Sequence, residues 1–119
     1  PISLSDVERG IRLCREENID FILAVGGGSV IDASKAMSAG APYEGDVREL
    51  LGHGARKLAQ ALPLGVVLTM AGTGSELNSG AVLTVGEDHK KISMIHPLLQ
   101  WVPIRPICSA VGAAHWVAA

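Results

Sequence analysis

An open α/β sheet is the fold class that this sequence predicts, and three observations carry it. Two short runs, Phe21 to Val25 and Leu64 to Thr69, are apolar almost throughout, as parallel strands covered on both faces would be. Each runs into a loop of small residues, Gly26-Gly27-Gly28-Ser29 in the first case and Met70-Ala71-Gly72-Thr73-Gly74-Ser75 in the second. Helix-like stretches flank the first run, so the opening unit reads helix, strand, glycine turn, helix.

The first helix is expected from Ser5 to Glu17. Ser5-Asp6-Val7-Glu8 has capping-box spacing, and Leu4, Val7, Ile11 and Cys14 recur at three- and four-residue intervals on one face. Asn18 to Asp20 then connects to the strand at Phe21–Val25. The second helix is expected from Ser29 to Ala39, where Gly40-Ala41-Pro42 stops it. From Tyr43 to Pro63 the pattern weakens to a short helix around Val47, Leu50 and Leu51 and a loop at Gly52-His53-Gly54. Beyond the second apolar run, Ala81–Val85 and Ile92–Ile95 predict a hairpin around Gly86-Glu87-Asp88-His89-Lys90.

Residues 101–119 hold two prolines and both tryptophans, but neither strand alternation nor a capped helix. The division is therefore a partial α/β domain over 1–100 and an unmatched tail over 101–119. Two strands and a hairpin are too little sheet for a self-sufficient doubly wound domain. With Pro1 in place of an initiator methionine, the expectation is a piece of a longer polypeptide.

Composition narrows the function classes. The net charge of −2 argues against a nucleic-acid partner. No apolar run approaches the ~18 residues of a membrane span, and no secretory leader is recognisable, so a cytoplasmic setting is expected. Cys14 and Cys108 lie far apart and make no C-x-x-C pair, which excludes a disulfide framework.

The glycine turn is the strongest candidate site. A strand ending in glycines lets backbone N–H groups converge on a phosphate, and the following helix turns its unpaired first-turn donors and positive dipole end to the same point. A nucleotide is the implied ligand, and a turn serving backbone geometry alone is the alternative. The full G-x-G-x-x-G fingerprint is absent because Ile31 stands where a third glycine belongs. Asp46 has roughly the spacing of a ribose-binding acid, but Gly40, Pro42 and Gly45 put it in a loop. In open α/β sheets ligands collect beyond the carboxyl ends of the strands, so the loops after Val25 and Thr69 are expected to face one crevice.

Other residues weigh less. Asp32 and Lys35 stand three apart on one helical face, where an exposed ion pair is the plain expectation. Lys91 follows another lysine at a turn and reads equally as a solvated cation or a ligand contact. Glu76 reads as a helix-capping carboxylate. Ser29 lacks the G-x-S-x-G context of a hydrolase nucleophile. His53, His89, His96 and His115 show no ligand spacing, so no metal site is expected here.

Taken together, the stretch from Asp20 to Lys35, the segment Leu68-Thr-Met-Ala-Gly-Thr-Gly-Ser-Glu76, the run Asn78 to Thr84 and the run Lys91 to His96 closely resemble the iron-containing (group III) alcohol dehydrogenase family. The nearest resemblance is to its branch of NADPH-dependent butanol dehydrogenases and aldehyde reductases. The resemblance covers about Ser5 to Gln100. It implies the later part of a Rossmann-like nucleotide-binding domain, with a helical metal-binding domain absent from this chain. It further implies a parent enzyme that moves a hydride between NADP or NAD and a small alcohol or aldehyde. A divalent iron or zinc would be held by ligands outside this chain, and the parent would be a homo-oligomer. Carried onto this sequence, Gly27, Gly28 and Ser29 would contact the cofactor pyrophosphate. Thr69, Thr73 and Ser75 would line the path from phosphates to nicotinamide ribose, with Asp32, Asn78 and Lys91 close by. Met70 departs from the family's usual small hydroxyl residue, and 101–119 matches nothing in the pattern. The alternatives are a non-catalytic truncated or frame-shifted remnant, and a glycerol dehydrogenase-like or dehydroquinate synthase-like relative. The Thr69 to Glu76 motif and the Ala81 to Thr84 strand disfavour those relatives.

Overall fold

The computed structural model describes residues 2–69, 80–96, 99 and 102–103. Helix α1 spans Leu4–Glu16, strand β1 Ile22–Gly26 and helix α2 Gly28–Gly40. Two 3₁₀ helices, Val47–Leu50 and Gly52–Lys57, follow, and then β2 at Leu64–Leu68, β3 at Gly80–Val85, β4 at Lys90–Ile95 and β5 at Val102–Pro103.

The first helix starts earlier than the sequence implies. Its N-cap is Ser3, whose hydroxyl accepts from the Asp6 N–H at 3.3 Å, so the Ser5-to-Glu8 capping box is not the one used. Starting at Ser3 places Leu4 inside the helix, where it joins Val7 and Ile11 on the buried face. Between Gly40 and the loop before β2, the expected short helix is the 3₁₀ turn capped by Asp46. The expected loop at Gly52–Gly54 lies in the second 3₁₀ turn.

Strands β1 and β2 are parallel neighbours in a register that sets Ile22 beside Leu64 and Gly26 beside Leu68. Their carboxyl ends therefore share one edge of the sheet. Strand β5 pairs in parallel with β2 on its other side, giving the order β1-β2-β5. The tail was not expected to contribute a strand. Val102–Pro103 does so by pairing its backbone with Gly65 and Val66 of β2.

The hairpin of β3 and β4 forms as expected, with Ala81 opposite Met94 and Leu83 opposite Ile92. Its turn needs Gly86 and His89 at positive φ.

Helix α2 organises the molecule. One of its sides meets α1 and the hairpin, where Ala33, Ala36 and Ala39 lie in a core with Val7, Ile11, Leu83 and Met94. Small residues there let the helices approach closely: a Cβ on Gly40 would collide with the Ile11 side chain. On another side Ile31 packs against Ala24, Leu64, Val66 and Leu68 of the sheet. Ser38 and Leu62 exchange hydrogen bonds that tie the approach to β2 to the same helix. Arg15 of α1 closes its far end by donating to the carbonyls of Gly40, Ala41 and Tyr43, at 2.9, 3.2 and 2.6 Å.

Expected coverage of β1 on both faces is not met. Phe21, Leu23 and Val25 are each about half exposed. The face opposite α2 carries no covering layer among the described residues.

Candidate nucleotide-binding turn

The site begins where β1 runs into α2. Gly26 takes φ +156°, and a Cβ there would come within 2.8 Å of Val30 Cγ2, so both backbone angle and space demand glycine. Gly27 is the N-cap of α2 and, having no side chain, makes no side-chain capping bond. The first bond of the helical ladder is Ile31 N–H to Gly27 O at 3.1 Å. The N–H groups of Gly28, Ser29 and Val30 therefore have no partner within the helix and lie at its positive end. Above Gly27 the space is open, since a Cβ there would meet nothing within 4 Å. Free donors and room beside them suit a phosphate.

The second strand end arrives at the same place. Thr69 donates its N–H to Gly26 O at 3.1 Å, which fixes the start of the second loop against the glycine turn. Thr73, Ser75 and Asn78 lie outside the described residues. So do Met70, Glu76 and His115.

Asp32 and Lys35 do not form the expected exposed pair. Lys35 is wholly buried and donates from Nζ to Gly80 O at 2.9 Å. Asp32 Oδ2 accepts from the Val82 N–H at 3.2 Å, while its Oδ1 is buried with no hydrogen-bond partner among the described residues. Both side chains reach β3. The signal that would have revealed Lys35 is periodicity, because Ile31, Lys35 and Ser38 fall on one buried face of the helix.

Lys91 is an exposed residue of β4, paired opposite Thr84. Ser29 is exposed in the first turn of α2. A separate cavity of about 410 Å³ lies between α1 and the turn at Gly45–Arg48, lined in part by Arg12, Arg15 and Arg48. None of the expected site residues lines it. Its Arg48 is engaged by Glu8 at 3.1 Å and its Arg15 by the α2 carbonyls. Cys14 is half-buried, and burial raises its thiol pKa above the ordinary value. No described helix is long and apolar enough to cross a membrane.

Among the described residues no group of three or more His, Cys, Asp or Glu side chains could hold a metal ion.

The family model for iron-containing alcohol dehydrogenases matches residues 2–102. The chain belongs to that family. A probable NADH-dependent butanol dehydrogenase of Bacillus subtilis is 50% identical over 96 residues, which are 81% of this chain and 24% of that protein. The NADPH-dependent aldehyde reductase YqhD of Escherichia coli is 43% identical over 76 residues, 62% of this chain and 20% of the relative. In the crystal structure of NADH-dependent butanol dehydrogenase A from Thermotoga maritima, the same fold recurs at a TM-score of 0.78 and 37% identity. That match takes in 85% of this chain and 25% of the other. The chain thus spans about a quarter of the length of these family members. The likeness agrees with the Rossmann-like α/β architecture of β1, α2 and β2.

Proposed function

We propose that this chain supplies the cofactor-binding glycine turn of an NAD- or NADP-dependent oxidoreductase acting on a small alcohol or aldehyde. The observation that carries the reading is the meeting of two strand ends: Thr69 held to the Gly26 carbonyl beside an uncapped helix N-terminus. In this reading Gly27, Gly28 and Ser29 hold the pyrophosphate through backbone N–H groups. Thr69, Thr73 and Ser75 continue along the phosphates towards the nicotinamide ribose, and Asn78 and Lys91 complete the cofactor's surroundings. Asp32 contributes its unpaired Oδ1, whose burial without a donor is costly and which a cofactor hydroxyl or amide would relieve.

The hydride chemistry belongs to the cofactor, and this segment binds and orients it. The metal expected of the whole enzyme, iron or zinc, has its ligands in another part of that enzyme. The whole enzyme acts as a homo-oligomer in the cytoplasm. The half-exposed face of β1 favours a second reading, a segment that does not bind cofactor unless that face is covered.

Titration with NADH and with NADPH, read by nicotinamide fluorescence, separates the two readings and also chooses between the cofactors. Binding to the wild-type chain is expected, together with a loss of at least ~10-fold in affinity, about 1.4 kcal/mol, for Gly28→Val. Gly27→Ala fills open space without meeting another atom, so it too should weaken binding while leaving the melting temperature unchanged. Wild-type affinity in both variants would refute the assignment.

A further inference from the structure

Among the described residues strand β3 pairs with one strand, β4, and its other edge makes an isolated parallel bridge between Thr84 and Ser3. Its outer edge turns Gly80 O, Val82 N–H and Thr84 N–H away from that partner, and an unpaired strand edge is a liability. The Thr84 N–H is taken by Ile2 O at 3.0 Å. The other two are taken by side chains of one helix: Lys35 Nζ donates to Gly80 O at 2.9 Å and Asp32 Oδ2 accepts from Val82 N–H at 3.2 Å. One donor and one acceptor, spaced a single helical turn apart, thus stand in for a strand partner at Gly80 and Val82.

Lys35 has no exposed surface, and a buried ammonium costs several kcal/mol unless its partners are well placed. What it holds is the point where the chain enters β3. Eleven residues earlier, Thr69 leaves β2 tied to Gly26 O. Thr69 and the start of β3 are thereby both fastened to the one strand-turn-helix unit that bears the glycines.

We propose that Lys35 and Asp32 act as a clamp on β3, and that Lys35 is a positioning residue for the nucleotide site, fixing the chain's return to the hairpin relative to the glycine turn. This rests on the nucleotide-binding reading above. Lys35 need not touch the cofactor.

The test compares wild-type, Lys35→Met, Lys35→Arg, Asp32→Asn and Asp32→Ala chains by residue-resolved amide hydrogen exchange and by NADH and NADPH titration. Lys35→Met should speed exchange in β3 while Ala24 and Val66 of the sheet and Ile11 of α1 keep their protection. Its cofactor affinity should fall at least ~10-fold. Lys35→Arg, which keeps a donor, should recover part of that affinity. Asp32→Asn retains an acceptor and should leave Val82 exchange unchanged, whereas Asp32→Ala should accelerate it. Wild-type affinity in Lys35→Met overturns the positioning role, as does loss of protection spread evenly over α1, α2 and β1. If the wild-type chain itself binds neither nucleotide, the functional reading and this role fall together. The exchange data then still decide whether the clamp holds β3.

Discussion

Leu83 and Leu23 are both leucines inside strands, yet Leu83 has no exposed surface and Leu23 is 51% exposed. The first sits in a core closed by α1, α2 and the hairpin. The second lies on the β1 face that α2 does not reach. Helix α2 therefore borders one cluster that is closed within the described residues and another, around Ile31 and Val66, beside which the outer face of β1 is half exposed. Apolar character along a strand reports the burial a strand is suited to, and only its neighbours decide whether it receives that burial.

The largest effect expected from this contrast is in the closed core. Leu83→Ala should cost about 2–5 kcal/mol, as truncations of fully buried leucines do, measured by urea unfolding. Loss of less than about 1 kcal/mol would mean that the core around α1 and the hairpin is loosely packed. On the open side, Leu23→Lys should reduce self-association, since among the described residues β1 has an uncovered apolar face and an unpaired edge, which draw copies together. Sedimentation velocity reads this directly, and a wild-type chain that is already monodisperse would contradict it. Leu23→Ala should change stability by no more than about 0.5 kcal/mol, in keeping with surface positions. A larger loss would show that the face is covered in solution.

The smallest effect is at the start of α1. The Ser3 hydroxyl, and then Arg9, hold the exposed Asp6 carboxyl below its ordinary pKa. Because the folded value is depressed, the contribution is fully present above the ordinary carboxylate value of about 3.9 and is lost as pH falls through the lower folded value. Asp6→Asn should thus lower the melting temperature slightly at neutral pH and not at all in strong acid. An equal effect at both would assign it to helix capping without charge.

Much of the site was legible because its cause is local. Three glycines after an apolar run, followed by a helical pattern, specify a turn with exposed N–H groups whatever surrounds them, and the structure places α2 one residue from where the pattern puts it. The hairpin was legible for the same reason, since Gly86 and the polar residues around it dictate a reversal. Asp32 and Lys35 were not. Their spacing suits a solvated ion pair, and only the arrival of β3 from nearly fifty residues further along makes one an acceptor and the other a buried donor.

The sequence by itself determined the order of elements, the glycine turn and the family, because these depend on local backbone preferences and on residue identity. The tertiary structure decided that β1 and β2 end side by side, that Val102–Pro103 extends their sheet, and that Lys35 is buried. Those outcomes depend on contacts between residues distant in the chain, where helical or strand periodicity carries no information about which partner will arrive.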